Sequence, residues 1–143
     1  MHDFIIGCIM WQEEVLVDKT IVGVKVKSPS VWLQVQEGGW IEINVVGDCC
    51  SEAFVDAVRL HGTPKLTGKS EKISFPAQVT TQEVDEVTAV RFDGEEHGSV
   101  SILHRNSSNG YYGNYLSVNS RGEPPADAVD GKEWFRDVQA ASR

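Results

Sequence analysis

An α+β domain, mostly antiparallel β-sheet with one central helix and a short C-terminal helix, is what this sequence predicts. Three observations carry the expectation. Apolar and polar residues alternate from Thr20 to Val46, the period changes after Gly47, and alternation returns between Glu83 and Val118.

The first block reads as a three-stranded meander. TIVGVKVK alternates, VWLQVQ at Val31 to Gln36 alternates again, and Trp40 to Val46 follows Glu37-Gly38-Gly39. Ser28-Pro29-Ser30 and the glycine pair supply the turns. Within DCCSEAFVDAVRLHG, Phe54, Val55, Val58 and Leu60 are spaced like one side of a helix, with Gly62 placed to end it. Asp48 or Ser51 would cap its first turn. Pro64 to Gly68 reads as a turn, and Lys72 to Thr81 as a strand broken around Pro76. Glu83 to Phe92, Ser99 to His104 and Tyr115 to Val118 read as strands, with Asp93-Gly94 turning between the first two. Residues 121–131 have a linker's composition. Lys132 to Ala141 places Trp134, Phe135 and Val138 on one side of a short helix. With 143 residues and 41% apolar content, residues 1–143 are expected to share one core and form one domain.

Charge narrows the partners. A formal net charge of -8 lacks the basic footprint of a nucleic-acid binder, so duplex DNA or RNA is not expected. The longest apolar run, Phe4 to Trp11, is far short of the ~20 residues of a membrane span. No Lys or Arg precedes it and Glu13-Glu14 follow it, unlike a secretory signal, so the chain reads as cytoplasmic. Three cysteines, two of them adjacent at Cys49-Cys50, make a poor disulfide framework. With His2, His61, His97 and His104 they form no spaced ligand set, so no metal and no cofactor is expected. Gly47 to Ser51 has two readings, an amide-lined turn that binds phosphate or activates a thiol, and a tight corner filled by small buried cysteines. The second is favoured because no His lies nearby in sequence to act as a base.

Between the strands ending at His104 and starting near Tyr115 lies RNSSNGYYGN, where Asn109-Gly110 alone would make a hairpin turn. Arg105 offers a planar fork for phosphate or stacking. Asn106, Ser107, Ser108 and Asn109 supply donors and acceptors, and Tyr111 and Tyr112 aromatic faces. Gly110 and Gly113 would let backbone approach a ligand closely. The same composition fits an ordinary long loop of Asx and Ser turns with tyrosines capping the core, and composition leaves the two readings open. Catalysis has less support. The acidic pairs Glu13-Glu14, Asp85-Glu86 and Glu95-Glu96 read as solvated, and no nucleophile elbow, Walker loop, zincin or dinucleotide motif is present. His104, beside Arg105, is the candidate base, though a strand-end His is more commonly structural.

GDCCSEAF at Gly47 to Phe54 and RNSSNGYYGNY at Arg105 to Tyr115 resemble the signatures of a family of small phage proteins that includes the first family of Thoeris anti-defence sponges. The resemblance implies a non-enzymatic protein that binds a cyclic ADP-ribose isomer made by a bacterial immune enzyme and withholds it from its effector. It also implies dimers grouped into hexamers, interfacial nucleotide pockets and, for some members, a separate cyclic oligonucleotide site. It carries Arg105, Asn106, Asn109, Tyr111 and Tyr112 forward as pocket residues, with Ser107, Ser108 and Gly110 in the same loop, and Phe92 and Arg121 as an adenine clamp on flanking elements. Arg91, Arg105 and Arg121 would offset the acidic surface locally. Two other functions compete: a nucleotide hydrolase using His104 and nearby acids, and a structural or host-interaction protein using Phe4 to Trp11 and Trp134-Phe135 as contact surfaces.

Overall fold

Extended backbone dominates the computed structural model, which describes residues 5–6, 9–10, 13–47, 52–79, 84–108, 114–119 and 122–136. The chain opens with two short strands, β1 (Ile5–Ile6) and β2 (Ile9–Met10), and one helical turn, α1 (Glu13–Leu16). There follow β3 (Ile21–Lys27), β4 (Ser30–Val35), β5 (Trp40–Gly47), β6 (Glu52–His61), β7 (Leu66–Val79) and β8 (Val84–Gly94). After a 3-10 turn at Glu95–His97 come β9 (Ser99–Ser108), β10 (Asn114–Asn119), β11 (Val129–Asp130) and β12 (Glu133–Phe135).

The strands form two sheets, ordered β1-β2-β10-β5-β4-β3-β11 and β12-β6-β9-β8-β7. Neighbours are antiparallel except β2 and β10, which run parallel. The expected meander is present as β3-β4-β5. Gly38 and Gly39 turn between β4 and β5 with φ of 110° and 91°, a region that L side chains avoid.

Period-two alternation builds the core. Val24 and Val26 of β3, Leu33 of β4, Ile43 of β5 and Leu116 of β10 face Val55 and Val58 of β6, Val90 of β8 and Ile102 of β9 in one apolar cluster. In the second sheet the inward positions align across strands, as Val58-Ile102-Val90 and Leu60-Val100-Phe92.

The structure corrects the expected fold class at its helices. Residues Glu52–His61, read as the central helix, are β6, hydrogen-bonded to β9 on one side and β12 on the other. A one-residue bulge explains the misreading. Register passes from Val55 opposite His104 to Ala57 opposite Leu103, leaving Asp56 as the extra residue. Inward residues therefore fall at 55, 58 and 60, and the three-residue step imitates helical spacing. The domain is nearly all β.

The expected C-terminal helix is corrected likewise: Glu133–Phe135 is β12, paired with β6. That edge of β6 needs partners for its backbone. Leu60 N–H donates to the Lys132 carbonyl and Arg136 N–H to the Asp56 carbonyl, each at 2.8 Å. Residues 137–143 lie outside the described ones. The described part of the expected linker is anchored. Asp127 accepts a 2.6 Å bond from Lys27, β11 pairs with β3, and Gly131 N–H donates to the Val24 carbonyl. This C-terminal ribbon thus covers one edge of each sheet. Pro76 is tolerated because β7 is an edge strand, with a register shift between Pro76 and Gln78. Among the described residues no helix is long and apolar enough to cross a membrane.

Candidate functional site

The two motifs of the sequence meet in register. Phe54 stands opposite Arg105, Ala53 opposite Asn106 and Glu52 opposite Ser107, and Gly47 on β5 pairs with Asn114 on β10. The described residues Gly47, Glu52, Ser107 and Asn114 thus lie at strand ends of the two sheets. Arg105, Asn106, Ser107 and Ser108 continue β9 to its end, with Ser108 opposite Val84 of β8. Asn109, Gly110, Tyr111, Tyr112, Arg121, Cys49 and Cys50 lie outside the described residues.

Around Arg105 the bulge creates a charged cluster. Asp56 accepts contacts from two guanidinium groups: Arg136 Nε is 2.9 Å from Oδ1, and Arg105 Nη1 is 3.8 Å from Oδ2. The shorter contact is an ion pair without hydrogen-bond alignment, since neither Asp56 Oδ1 nor Arg136 Nε has a hydrogen-bond partner although both are buried. The side chains are 15% exposed for Asp56, 23% for Arg105 and 26% for Arg136, so solvent screens them only partly. The Arg136 guanidinium carbon lies 4.2 Å from the centroid of the Phe54 ring, within cation–π range. A unit charge pair at 4 Å is worth about 4 kcal/mol at an effective dielectric of ~20, opposed here by desolvation and by repulsion between the two guanidinium groups.

Other ion pairs lie on the same outer face. Arg59 lies 3.8 Å from Glu133, and Arg91 contacts both Glu71 at 2.5 Å and Asp93 at 2.8 Å. Arg91, expected to lend local positive charge, is thus matched by two acids, and its hydrogen bond to Asp93 raises its pKa further. At Asp56 one carboxylate lies near two guanidinium groups.

Two sequence candidates lie elsewhere. Phe92 is 1% exposed in the core and aligned with Val100. On β8 it is five residues from Val87, the partner of Arg105, or about 17 Å along the strand. It does not join Arg105 as a clamp. His104 is also 1% exposed, on the inner face between Val55 and Thr88. A cleft of about 390 Å³ lined by His61, Gly62, Lys65, Glu95 and Glu96 lies toward the other end of β6 and gathers none of the expected residues. Among the described residues no group of three or more His, Cys, Asp or Glu could hold a metal ion.

Sequence reasoning missed Phe54, Asp56 and Arg136. The first two lay inside an expected helix, and only a bulge brings Asp56 beside the side chains of the β6–β9 pair. Arg136 gave no sequence signal, because its position depends on β12 crossing to β6.

The architecture and cluster define the chain as a two-sheet β domain with a guanidinium–carboxylate–aromatic surface site. The chain belongs to the family described as a domain of unknown function, DUF7448, which matches residues 14–118. That span runs through β10 and stops before the ribbon that carries Arg136. No curated protein and no solved structure matches the chain.

Proposed function

We propose that this protein binds a cyclic ADP-ribose isomer and holds it without cleaving it, acting in the cytoplasm of an infected bacterium as a phage anti-defence sponge. The observation that carries the reading is the pairing of Arg105 with Phe54, which joins the two motifs whose resemblance suggested it. The cluster beneath brings two guanidinium groups, the kind of donor that suits an anionic nucleotide, beside an aromatic ring. Such charge is concentrated where it serves a ligand, on a chain whose net charge of -8 would otherwise repel one. Asn106, Ser107 and Ser108 extend β9 from this cluster toward Asn109 to Tyr112. Following the resemblance, the protein assembles as dimers grouped into a hexamer and takes a cyclic oligonucleotide as a second ligand.

A sponge removes its ligand from solution and returns it intact. Incubation with cyclic ADP-ribose isomers is expected to deplete one of them from the filtrate, and heating to release it unchanged. A cleaved product would instead favour a hydrolase, a reading weakened by the burial of its candidate base, His104.

A protein-contact role has one observation in its favour. Phe135, Ala57, Leu103, Ala89 and Ile73 align across the outer face of the five-stranded sheet, with Phe135 70% and Ile73 63% exposed. Intact assembly without any small-molecule binding would support that role alone.

A further inference from the structure

We infer that the outer face of the five-stranded sheet is a two-fold interface whose occupant is a second copy of this chain. The inference stands on the pattern of that face and not on the nucleotide reading.

One row crosses the face from edge to edge. Phe135 on β12, Ala57 on β6, Leu103 on β9, Ala89 on β8 and Ile73 on β7 are consecutive cross-strand partners. Large and small side chains alternate along it, and its outermost members, Phe135 and Ile73, are 70% and 63% exposed. The next row is charged. Glu133, Arg59, Ser101, Arg91 and Glu71 occupy the same strands in the same order. An apolar row this exposed, rimmed by charge, marks a contact surface.

The same two patterns specify the occupant. A two-fold axis parallel to the strands sets each row against its own copy in reverse order. With the axis between β9 and β8, Leu103 meets Ala89 of the second copy and Ala57 meets its Ile73. Every large side chain of the row on the overlapping strands then faces a small one. In the charged row, Arg59 meets Glu71 of the second copy, twice over by symmetry. Arg59 has the capacity for it, because its contact with Glu133 is 3.8 Å long and its side chain 66% exposed. Glu71 shares Arg91 with Asp93, so acids exceed the cation there and a further guanidinium is favourable. Phe135, one strand further out, lies beside Ile73 of the second copy and closes the rim. The overlapping strands β6, β9, β8 and β7 are 10 to 14 residues long, which at ~4.8 Å between strands gives a footprint of about 600 Å² per copy. Side-chain relief makes the accessible area larger than the footprint, near the ~800 Å² per partner of a standard interface. Aligned stacking of twisted sheets is the ordinary packing of β-sandwiches.

The test is sedimentation velocity of the full chain over a concentration series, read as a dissociation constant between copies. Ile73→Asp, which sets a charge against Ala57 of the second copy, is expected to weaken association about tenfold or more. Val129→Asp puts the same charge on an apolar residue of the other sheet that is 48% exposed, and is expected to leave association unchanged. Arg59→Glu and Glu71→Arg are each expected to weaken it several-fold, and the double variant to regain most of the loss. Within one chain the two positions are three strands apart, about 14 Å, so that recovery comes only from contact between copies. The inference is overturned if the parent protein is monomeric throughout the series, if Ile73→Asp associates as tightly as the parent, or if the two charge reversals simply add. Association with this pattern but no depletion of cyclic ADP-ribose isomers would sink the sponge reading and leave the interface standing. Depletion by a monomeric parent would do the reverse.

Discussion

Phe54 and Arg105 face each other as direct cross-strand partners on β6 and β9, and that single pairing joins two sequence motifs separated by some fifty residues. Arg136 closes over the same ring from a third strand's end, so Phe54 is the aromatic floor of the cluster. Replacing it by Leu keeps most of the apolar area and removes the π face. Phe54→Leu is expected to destabilise the domain by about 0.5–1 kcal/mol, the usual worth of a partly exposed cation–π contact. Urea unfolding of the variant beside Arg136→Gln and the double variant measures it, and the two losses should be less than additive.

The central row of the second sheet, Val58-Ile102-Val90, shows how tightly the two layers depend on each other. Ile102 is 1% exposed in the shared cluster. Ile102→Ala is expected to cost about 2–5 kcal/mol, combining lost transfer energy with an unfilled cavity. The midpoint of urea unfolding reads the loss, and an unchanged slope would show that the unfolded state is unaltered.

Gly131 marks where the ribbon passes from β11 toward β12. A Cβ there would meet the Val26 side chain and stand 2.9 Å from Val24 Cγ1. Both valines are buried, so the ribbon itself must shift. Gly131→Ala is expected to cost about 1–3 kcal/mol, as overpacking does. Hydrogen exchange should then rise first at the Leu60 amide, whose acceptor is the Lys132 carbonyl.

Lys27 and Asp127 tie the described part of residues 122–128 to β3. The hydrogen bond from Lys27 holds the Asp127 carboxyl below its ordinary pKa. A depressed carboxylate pKa contributes stability that is present above the unfolded value and is lost as pH falls through the folded one. Thermal stability should therefore drop slightly more between about pH 5 and pH 2 in the parent than in Asp127→Asn. Both groups are more than half exposed, so salt should shrink the difference.

How far the sequence disclosed this molecule depended on local phase. The β3-β4-β5 meander was legible because Val24, Val26, Val31 and Leu33 keep strict alternation around glycine and proline turns. Strand β6 was not, because the Asp56 bulge resets its phase and the result resembles a helix. Nor was β12, since Glu133–Phe135 is too short for a pattern and exists because β6 leaves an open edge. At the site, Arg105 stood out for the polar and aromatic run it begins in the sequence, although residues 105–108, expected as loop, continue strand β9. Phe54, Asp56 and Arg136 did not, since only register brings them to it. Phe92 was misplaced for a related reason: its face on β8 is fixed by alignment with Val100, which composition does not report.

A sponge binds its nucleotide signal and returns it whole. The most direct measurement is mass spectrometry of cyclic ADP-ribose isomers before incubation with the purified protein, after filtration, and after heat denaturation. One isomer is expected to disappear from the filtrate and reappear with unchanged mass and retention, and Arg105→Ala is expected no longer to deplete it. Full recovery of every isomer in the filtrate, or a linear or hydrolysed product after heating, would contradict the sponge reading.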